Sequence, residues 1–465
     1  MVLPLALCQF VASYAATNMN VAISDIAHDL GTTVIGVQTA ITLFTLTMAA
    51  LMLPGSKMTD IWGRKRCFVT GLAVYGAGAL VAALSPSLPV LVAGYSLGEG
   101  VGSALMIPPV YILLTVAFTD RTTRAKAFGA ISAAAGVGAA AGPLIGGVIT
   151  SGISWRASFL AQVALVAVIL LLSRRIVATP VPESAPFDLG GAVLSGTGLL
   201  LIVIGFLMSG SNGWFVARKD VDVLGTTLIH EGGVSPTLLF ILAGLLVLVW
   251  FVVHIGGRER RGREPLVRLA LFRNHRSNLG LTTQFAQWLT MQGSFFVISV
   301  FLQQVRGYSA IEVGVILLPT TLGILASSSL AGRLARRRQQ RTLVWAGFVV
   351  TILGMVLLLL LARATGSVLL FVPGLLFVGI GVGVMLTSSV NVVQSSFPDD
   401  VQGEISGLSR SVSNLGSSLG TAIAGSALVS SLVEGNAHFL LALVVLTVLA
   451  VGGLVAAVRL PPDPA

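Results

Sequence analysis

GSKMTDIWGRKR, running from Gly55 to Arg66, gathers Lys57, Arg64, Lys65 and Arg66 around one acid, Asp60, between two apolar runs. The spacing predicts a connector too short to fold alone. A charged cluster flanked by two stretches of membrane-crossing length can rest only at a water interface. Lys and Arg are retained on the cytoplasmic side of a bilayer, so the stretch predicts a membrane protein and places this connector in the cytoplasm.

Composition agrees. The chain has 465 residues, of which 55% are hydrophobic and 10% charged, and its mean hydropathy is +0.93, far above that of a soluble domain. A net charge of +10 would suit a nucleic-acid partner, but the basic residues abut the ends of apolar runs. RERRGR and RRRQQR therefore read as membrane anchors, and no nucleic-acid partner is expected. Cys8 and Cys67 form neither a metal-ligand pattern nor a disulfide framework. The first apolar run, from Leu3, has no basic leader or cleavage site and carries Gln9, Asn18 and Asn20, which reads as a first span and not a signal peptide.

A span needs about 20 apolar residues, and on that ruler there are fourteen, at roughly 3–27, 34–54, 67–85, 88–117, 125–150, 157–177, 189–209, 236–256, 278–303, 311–331, 342–362, 367–397, 404–432 and 438–458. The runs are too long and too continuously apolar for barrel strands. One set of loops holds most of the Lys and Arg, while the other holds Arg156, Arg218, Lys219, Arg306 and Arg363. Both termini are thus expected in the cytoplasm. GEGVG at Gly98–Gly102 returns as GIGVG at Gly379–Gly383, and the glycines at 129, 138, 142 and 147 return at 407, 416, 420 and 425. Two homologous halves follow, residues 1–180 and 261–465, with two inserted spans in 181–260. Such transporters place the substrate path at the half interface near the midplane.

These residues resemble the major facilitator superfamily, in particular its fourteen-span drug:proton antiporters, over the whole chain. The signature between spans 2 and 3 is occupied by Ser56, Met58, Asp60, Gly63, Arg64 and Lys65, with Ser56 in place of its first Gly and Ile61 in place of an Arg. Span 5 carries GVGAAAGPLIGG, Gly136–Gly147, similar to the antiporter motif and followed by Trp155 and Arg156. Phe187, Asp188 and Gly190, PLVRLALFR before span 9 and FLQQVRGYS after it also resemble this group. The resemblance implies an all-α integral membrane protein of the major facilitator fold, with two six-helix halves and two inserted helices.

The chemistry of each motif is readable beside the resemblance. Asp60 near Arg64 can accept charge-assisted hydrogen bonds, so Asp60, Gly63, Arg64 and Lys65 read as a latch that biases two conformations, or more plainly as a topogenic charge cluster. Gly138, Gly142, Gly146 and Gly147 offer a face for close helix approach, and Pro143 bends it. The repeat of the opening stretch in the second half sets Arg336 where Asp60 would fall, so any latch is asymmetric.

Departures from the resemblance are equally informative. Where such antiporters carry an Asp in span 1 stands Ala15, and where they carry an Arg in span 4 stands Ser96. Glu99 takes the place of a Gln, about 17 Å into span 4 by helix rise. An ionised carboxylate at that depth is costly, which makes Glu99 the candidate proton site; the plain alternative is a permanently protonated acid bonded to a neighbouring helix. Arg410 in span 13 can counter Glu99, attract an anionic group or snorkel to the cytoplasm. Gln9, Ser13, Thr17 and Asn20 share one face of span 1, and Gln284, Gln287, Trp288, Met291 and Gln292 share one of span 9; they read as the substrate path or as interhelical hydrogen bonds. His230 and Glu231 read as solvated loop residues, and no metal or cofactor is expected.

The expected function is a proton-coupled exporter of amphiphilic drugs or lipids working by alternating access. The alternative is an uncoupled lipid translocator or a membrane substrate sensor on the same fold. No nucleotide loop, triad or metal cluster argues for an enzyme. A monomer in a bacterial inner membrane is expected: no N-x-S/T sequon occurs, and richness in Arg, Ala and Val fits a high-GC bacterium.

Overall fold

A computed structural model describes residues 2–462 apart from 119, 177–186, 224–225, 335–337, 363–365, 399–400 and 430–435. A chain this apolar must pair its own N–H and C=O groups, and it does so in helices. The long ones are α1 (Val2–Asn18), α2 (Val34–Trp62), α3 (Arg64–Ala83), α4 (Gly100–Ala117), α5 (Arg121–Gly152), α6 (Trp155–Ser173) and α7 (Leu189–Asn212), followed by α8 (Pro236–Arg260), α9 (His275–Val300), α10 (Leu318–Leu334), α11 (Gln340–Leu361), α12 (Phe371–Gln394), α13 (Gln402–Val429) and α14 (Asn436–Val458). Between α7 and α8 lies a short antiparallel hairpin, β1 (Val221–Val223) and β2 (Thr226–Ile229).

Among the described residues twelve helices are long and apolar enough to cross a membrane, or thirteen when Ala310–Ile316 and the start of α10 count as one span bent by 42°. The bend falls where Pro319, lacking an N–H, enters the second helix just after Leu317. The remaining expected span, 404–432, coincides with α13, which is 28 residues long but less apolar. Its polar residues Ser409, Ser411, Ser413, Ser417 and Ser418 are buried in protein.

Two expectations change in detail. The stretch Gly55–Trp62 is not a connector: α2 continues through Pro54 to Trp62, and the turn is Gly63 alone, at φ 90°. The helix continues because Gly55 rides on α4, where a Cβ would lie 2.2 Å from the Ala104 carbonyl oxygen, so packing overrides the local Pro-Gly signal. The second change is in span 4, which opens with Leu88–Leu91 and a wide π-helical stretch, Val92–Glu99, before α4 begins.

Neighbouring helices pair as α1 with α5, α3 with α4 and α6, α9 with α13, α11 with α12 and α14, and α7 with α8. Two seams join the N-terminal helices to the C-terminal ones: α2 runs against α13, and α5 against Ala310–Ile316 and α10. The α7–α8 pair sits beside the first seam, where α7 touches α2 and α13, and Leu246, Val249, Trp250 and Val253 of α8 point away from protein. The bundle has a basic end, holding Lys57, Lys65 and Arg268, and a far end, holding Asn20, Ser24, Ser151 and Gln303.

Candidate functional site

Glu99 closes the π-helical stretch and is fully buried. It reaches that position because the stretch lies directly on α3: a Cβ on Gly78 would meet the Glu99 nitrogen at 2.6 Å, and one on Gly94 the Ala82 nitrogen at 2.5 Å. π-helical turns recur at functional sites because the wide turn redirects a side chain. Tyr75 and Tyr95 stand beside the carboxyl group. Tyr75 donates to Gln162, and Tyr95 donates to the Ala15 carbonyl at 3.1 Å. Tyr14 and Asn18 converge on Ser158 close by. Among the described residues neither Glu99 oxygen meets a hydrogen-bond partner. The acid thus lies within the N-terminal helices, not on the seam with the C-terminal ones.

The two positions that lost their charges are filled quietly. Ala15 is buried and lends its carbonyl to Tyr95, and Ser96 donates to the Ala40 carbonyl at 2.7 Å. Arg410 is not the partner of Glu99. Its Nη2 donates to the Tyr111 hydroxyl, its guanidinium lies 5.4 Å from the Tyr111 ring centroid, and Tyr111 in turn donates to Gln9 Oε1 at 3.4 Å. α13, α4 and α1 meet through that chain.

The expected path faces divide. Gln9 belongs to the Arg410 chain, but Ser13 and Thr17 lie on α5: Cβ atoms on Gly138 and Gly142 would meet Ser13 and the Thr17 hydroxyl. Those contacts, with Gly146 on Asn18, make α5 and α1 a close-packed pair, and a Cβ on Gly147 would instead lie 2.5 Å from the Ala310 carbonyl oxygen. The Asn20 carbonyl accepts from Gln303 Nε2 at 3.0 Å, which ties α1 to the end of α9. On α9, Gln284 accepts from Ser409 at 2.7 Å, Gln287 accepts from Ser389 at 2.8 Å and Gln292 donates to the Ala16 carbonyl at 2.8 Å. Met291 is buried and Trp288 half-buried against the same core.

At the basic end the ion pairs fall on Lys57. Its Nζ lies 3.4 Å from Glu264 and 3.5 Å from Glu404, which Arg268 also holds at 3.1 Å, and Ser56 donates to the Gly403 carbonyl at 3.1 Å. Asp60 is exposed and makes no ion pair or hydrogen bond among the described residues, while Lys65 reaches the Arg174 carbonyl at 3.4 Å. Arg336 lies outside the described residues. Sequence reasoning counted Lys57 only as loop charge, because its acids sit more than 200 positions away. Next to this cluster the Asp188 side chain, 2% exposed, caps α7 and gathers His254 at 2.9 Å, Arg258 at 3.4 Å and the Leu266 N–H at 3.1 Å. Burial pushes its carboxyl group up, but those hydrogen bonds and the Arg258 charge more than offset it and hold it below the ordinary range.

The far end is closed by neutral contacts. Gln303 accepts from the Ser24 N–H at 2.9 Å, Gln304 donates to the Ser24 hydroxyl at 2.7 Å, and the Ile311 N–H donates to Ser151 at 2.9 Å. The structure therefore holds a buried acid, a cation between the N-terminal and C-terminal helices, and contacts at both ends whose breaking would part them.

Known proteins resemble this chain in sequence and in fold. Residues 5–421 match the family described as the Major Facilitator Superfamily. The chain is 28% identical over 422 residues to the multidrug resistance protein Stp of Mycobacterium tuberculosis, spanning 90% of this chain and 74% of Stp. It is 30% identical over 421 residues to the puromycin resistance protein pur8 of Streptomyces alboniger, spanning 89% and 78%. The crystal structure of the peptide transporter POT in complex with sulfate superposes with a TM-score of 0.67 at 14% identity, over 99% of this chain and 94% of POT, a likeness of fold alone. The chain belongs to the Major Facilitator Superfamily.

Proposed function

We propose that this protein is a proton-coupled secondary transporter that exports amphiphilic compounds by alternating access, with Glu99 as the proton site. The observation that carries the reading is the burial of Glu99 with both oxygens unpartnered. An ionised carboxylate in that position would face tyrosine hydroxyls and no cation among the described residues, so its charged and neutral forms favour different conformations, which is what coupling requires. The drug-resistance names of the similar proteins support an amphiphilic cargo.

The accompanying topology is fourteen spans in two halves, residues 1–180 and 261–465, with an inserted pair in 181–260. α13 completes the fourteen: about 42 Å long by helix rise, it turns its polar residues onto α2 and α9 and not toward lipid. The basic end and both termini face the cytoplasm of a bacterial inner membrane, and the protein works as a monomer. Lys57–Glu404 and the far-end contacts then break in alternation. The test is substrate-driven proton movement in proteoliposomes. Transport indifferent to an imposed pH gradient would instead favour an uncoupled lipid translocator.

A further inference from the structure

We infer that the seam between α4 and α13 receives an anionic headgroup, so that the substrate is an amphiphile carrying a carboxylate or phosphate-type group held by Arg410. The inference rests on the export reading above. Arg410 lies in the third turn of α13, about 12 Å from its start by helix rise. A cation there is retained only with a partner or a task. Among the described residues no acid pairs with it: Glu404, further toward the basic end, is occupied by Lys57 and Arg268, and Glu99 lies among tyrosines inside the N-terminal helices.

The guanidinium is also oriented. Tyr111 accepts from one arm and presents its ring to the plane, while Gln9 accepts from Tyr111, so the group is held across the seam from α13 to α4. The planar fork of five N–H donors matches a carboxylate or phosphate in two parallel bonds, and the contacts made to protein leave part of that fork uncommitted.

Two side chains of α9, which packs on α13, have the same sign of need. Ser409, adjacent to Arg410, donates to Gln284 Oε1, and Ser389 donates to Gln287 Oε1. The Nε2 groups of both glutamines are buried and have no partner. Each is a donor without an acceptor, and a buried donor left unsatisfied costs its desolvation. An acceptor-rich anion satisfies donors, whereas a cationic amphiphile would meet Arg410 as a like charge.

The test uses full-length protein in maltoside micelles and a matched fluorescent pair, 11-(dansylamino)undecanoate and its methyl ester. Wild type should bind the acid at least about tenfold more tightly than the ester, the size of one charge-assisted pair. Arg410→Gln should bring the affinities for acid and ester within about twofold of each other, and Arg410→Lys, which keeps the charge without the fork, should retain part of the preference. Equal wild-type affinities, or a preference that survives Arg410→Gln, would overturn the assignment. The wild-type comparison and Arg410→Lys keep it decidable if Arg410→Gln does not fold. Displacement of the acid by phosphatidylglycerol in nanodiscs assigns a lipid headgroup; displacement by dodecyl phosphate alone assigns a free amphiphile; displacement by neither overturns the phosphate branch. Failure of the export reading looks different: cells making the protein would then accumulate acid and ester as fast as cells without it, whereas failure of the Arg410 assignment alone leaves export of the ester intact.

Discussion

Gly147→Ala should prop open the far end. The Cβ it adds would sit 2.5 Å from the Ala310 carbonyl oxygen, 3.1 Å from its carbon and 3.2 Å from Ile311 Cα, all backbone atoms that no rotamer change can remove. Restoring the ordinary contact of 3.4 Å requires the seam to part by about 0.9 Å. Overpacking of this kind costs about 1–3 kcal/mol. The clash exists only while α5 and Ala310–Ile316 are together, so the penalty falls on the closed far end and shifts the equilibrium about 5- to 150-fold toward opening. Ala310→Cys reports on the same seam, since Ala310 is only 2% exposed while the far end is closed. The native Cys8 and Cys67 are buried and give little background. In the Ala310→Cys protein, Gly147→Ala should raise labelling by a membrane-impermeant maleimide by that factor. An unchanged rate in folded protein would refute the reasoning, because it would mean that the two backbones are not in contact in the closed form.

Other predictions follow from the polar clusters. Lys57→Glu should slow transport by facing Glu404 with a like charge, and Glu404→Lys in the same chain should restore part of the rate; a double-mutant cycle should return a coupling of about 1 kcal/mol. Asp188→Ala leaves His254, Arg258 and two backbone N–H groups without their acceptor, and thermal unfolding in detergent should show a loss of about 3–5 kcal/mol. The hydrogen bond from Arg156, with a second from Trp155 at 3.0 Å, holds the Asp29 carboxyl group below the usual carboxylate range. A lowered folded value means stability that is present above the unfolded pKa of about 4 and lost as pH falls through the folded one. The unfolding temperature of wild type should therefore drop more steeply between about pH 5 and pH 3 than that of Asp29→Asn.

Much of the fold was legible because the signal was local. Apolar runs located nearly every long helix, and the gap is instructive: α13 is less apolar because its serines are covered by α2 and α9, so hydropathy undercounts a span that protein surrounds. The continuation of α2 past Pro54 and the π-helical stretch before α4 depend on backbone contact with Ala104 and with Gly78, which no local pattern announces. At the site, Glu99 and Arg410 stood out as charges in apolar runs. Their surroundings did not, because Tyr14, Tyr75, Tyr95 and Tyr111 come from three separate spans. A hint existed all the same: four of the chain's five tyrosines precede residue 112. Lys57, and not the acid Asp60, carries the contact between the N-terminal and C-terminal helices, because helix register, extended to Trp62, turns Lys57 toward α13 and leaves Asp60 exposed.

The central claim is that Glu99 couples protons to transport. Purified protein in proteoliposomes, given a substrate of the wild type and an imposed pH gradient, should move protons with substrate. Glu99→Gln, isosteric and never ionised, should still exchange substrate down its own gradient while proton movement falls to the level of empty liposomes. Undiminished substrate-driven proton movement in Glu99→Gln would contradict the account.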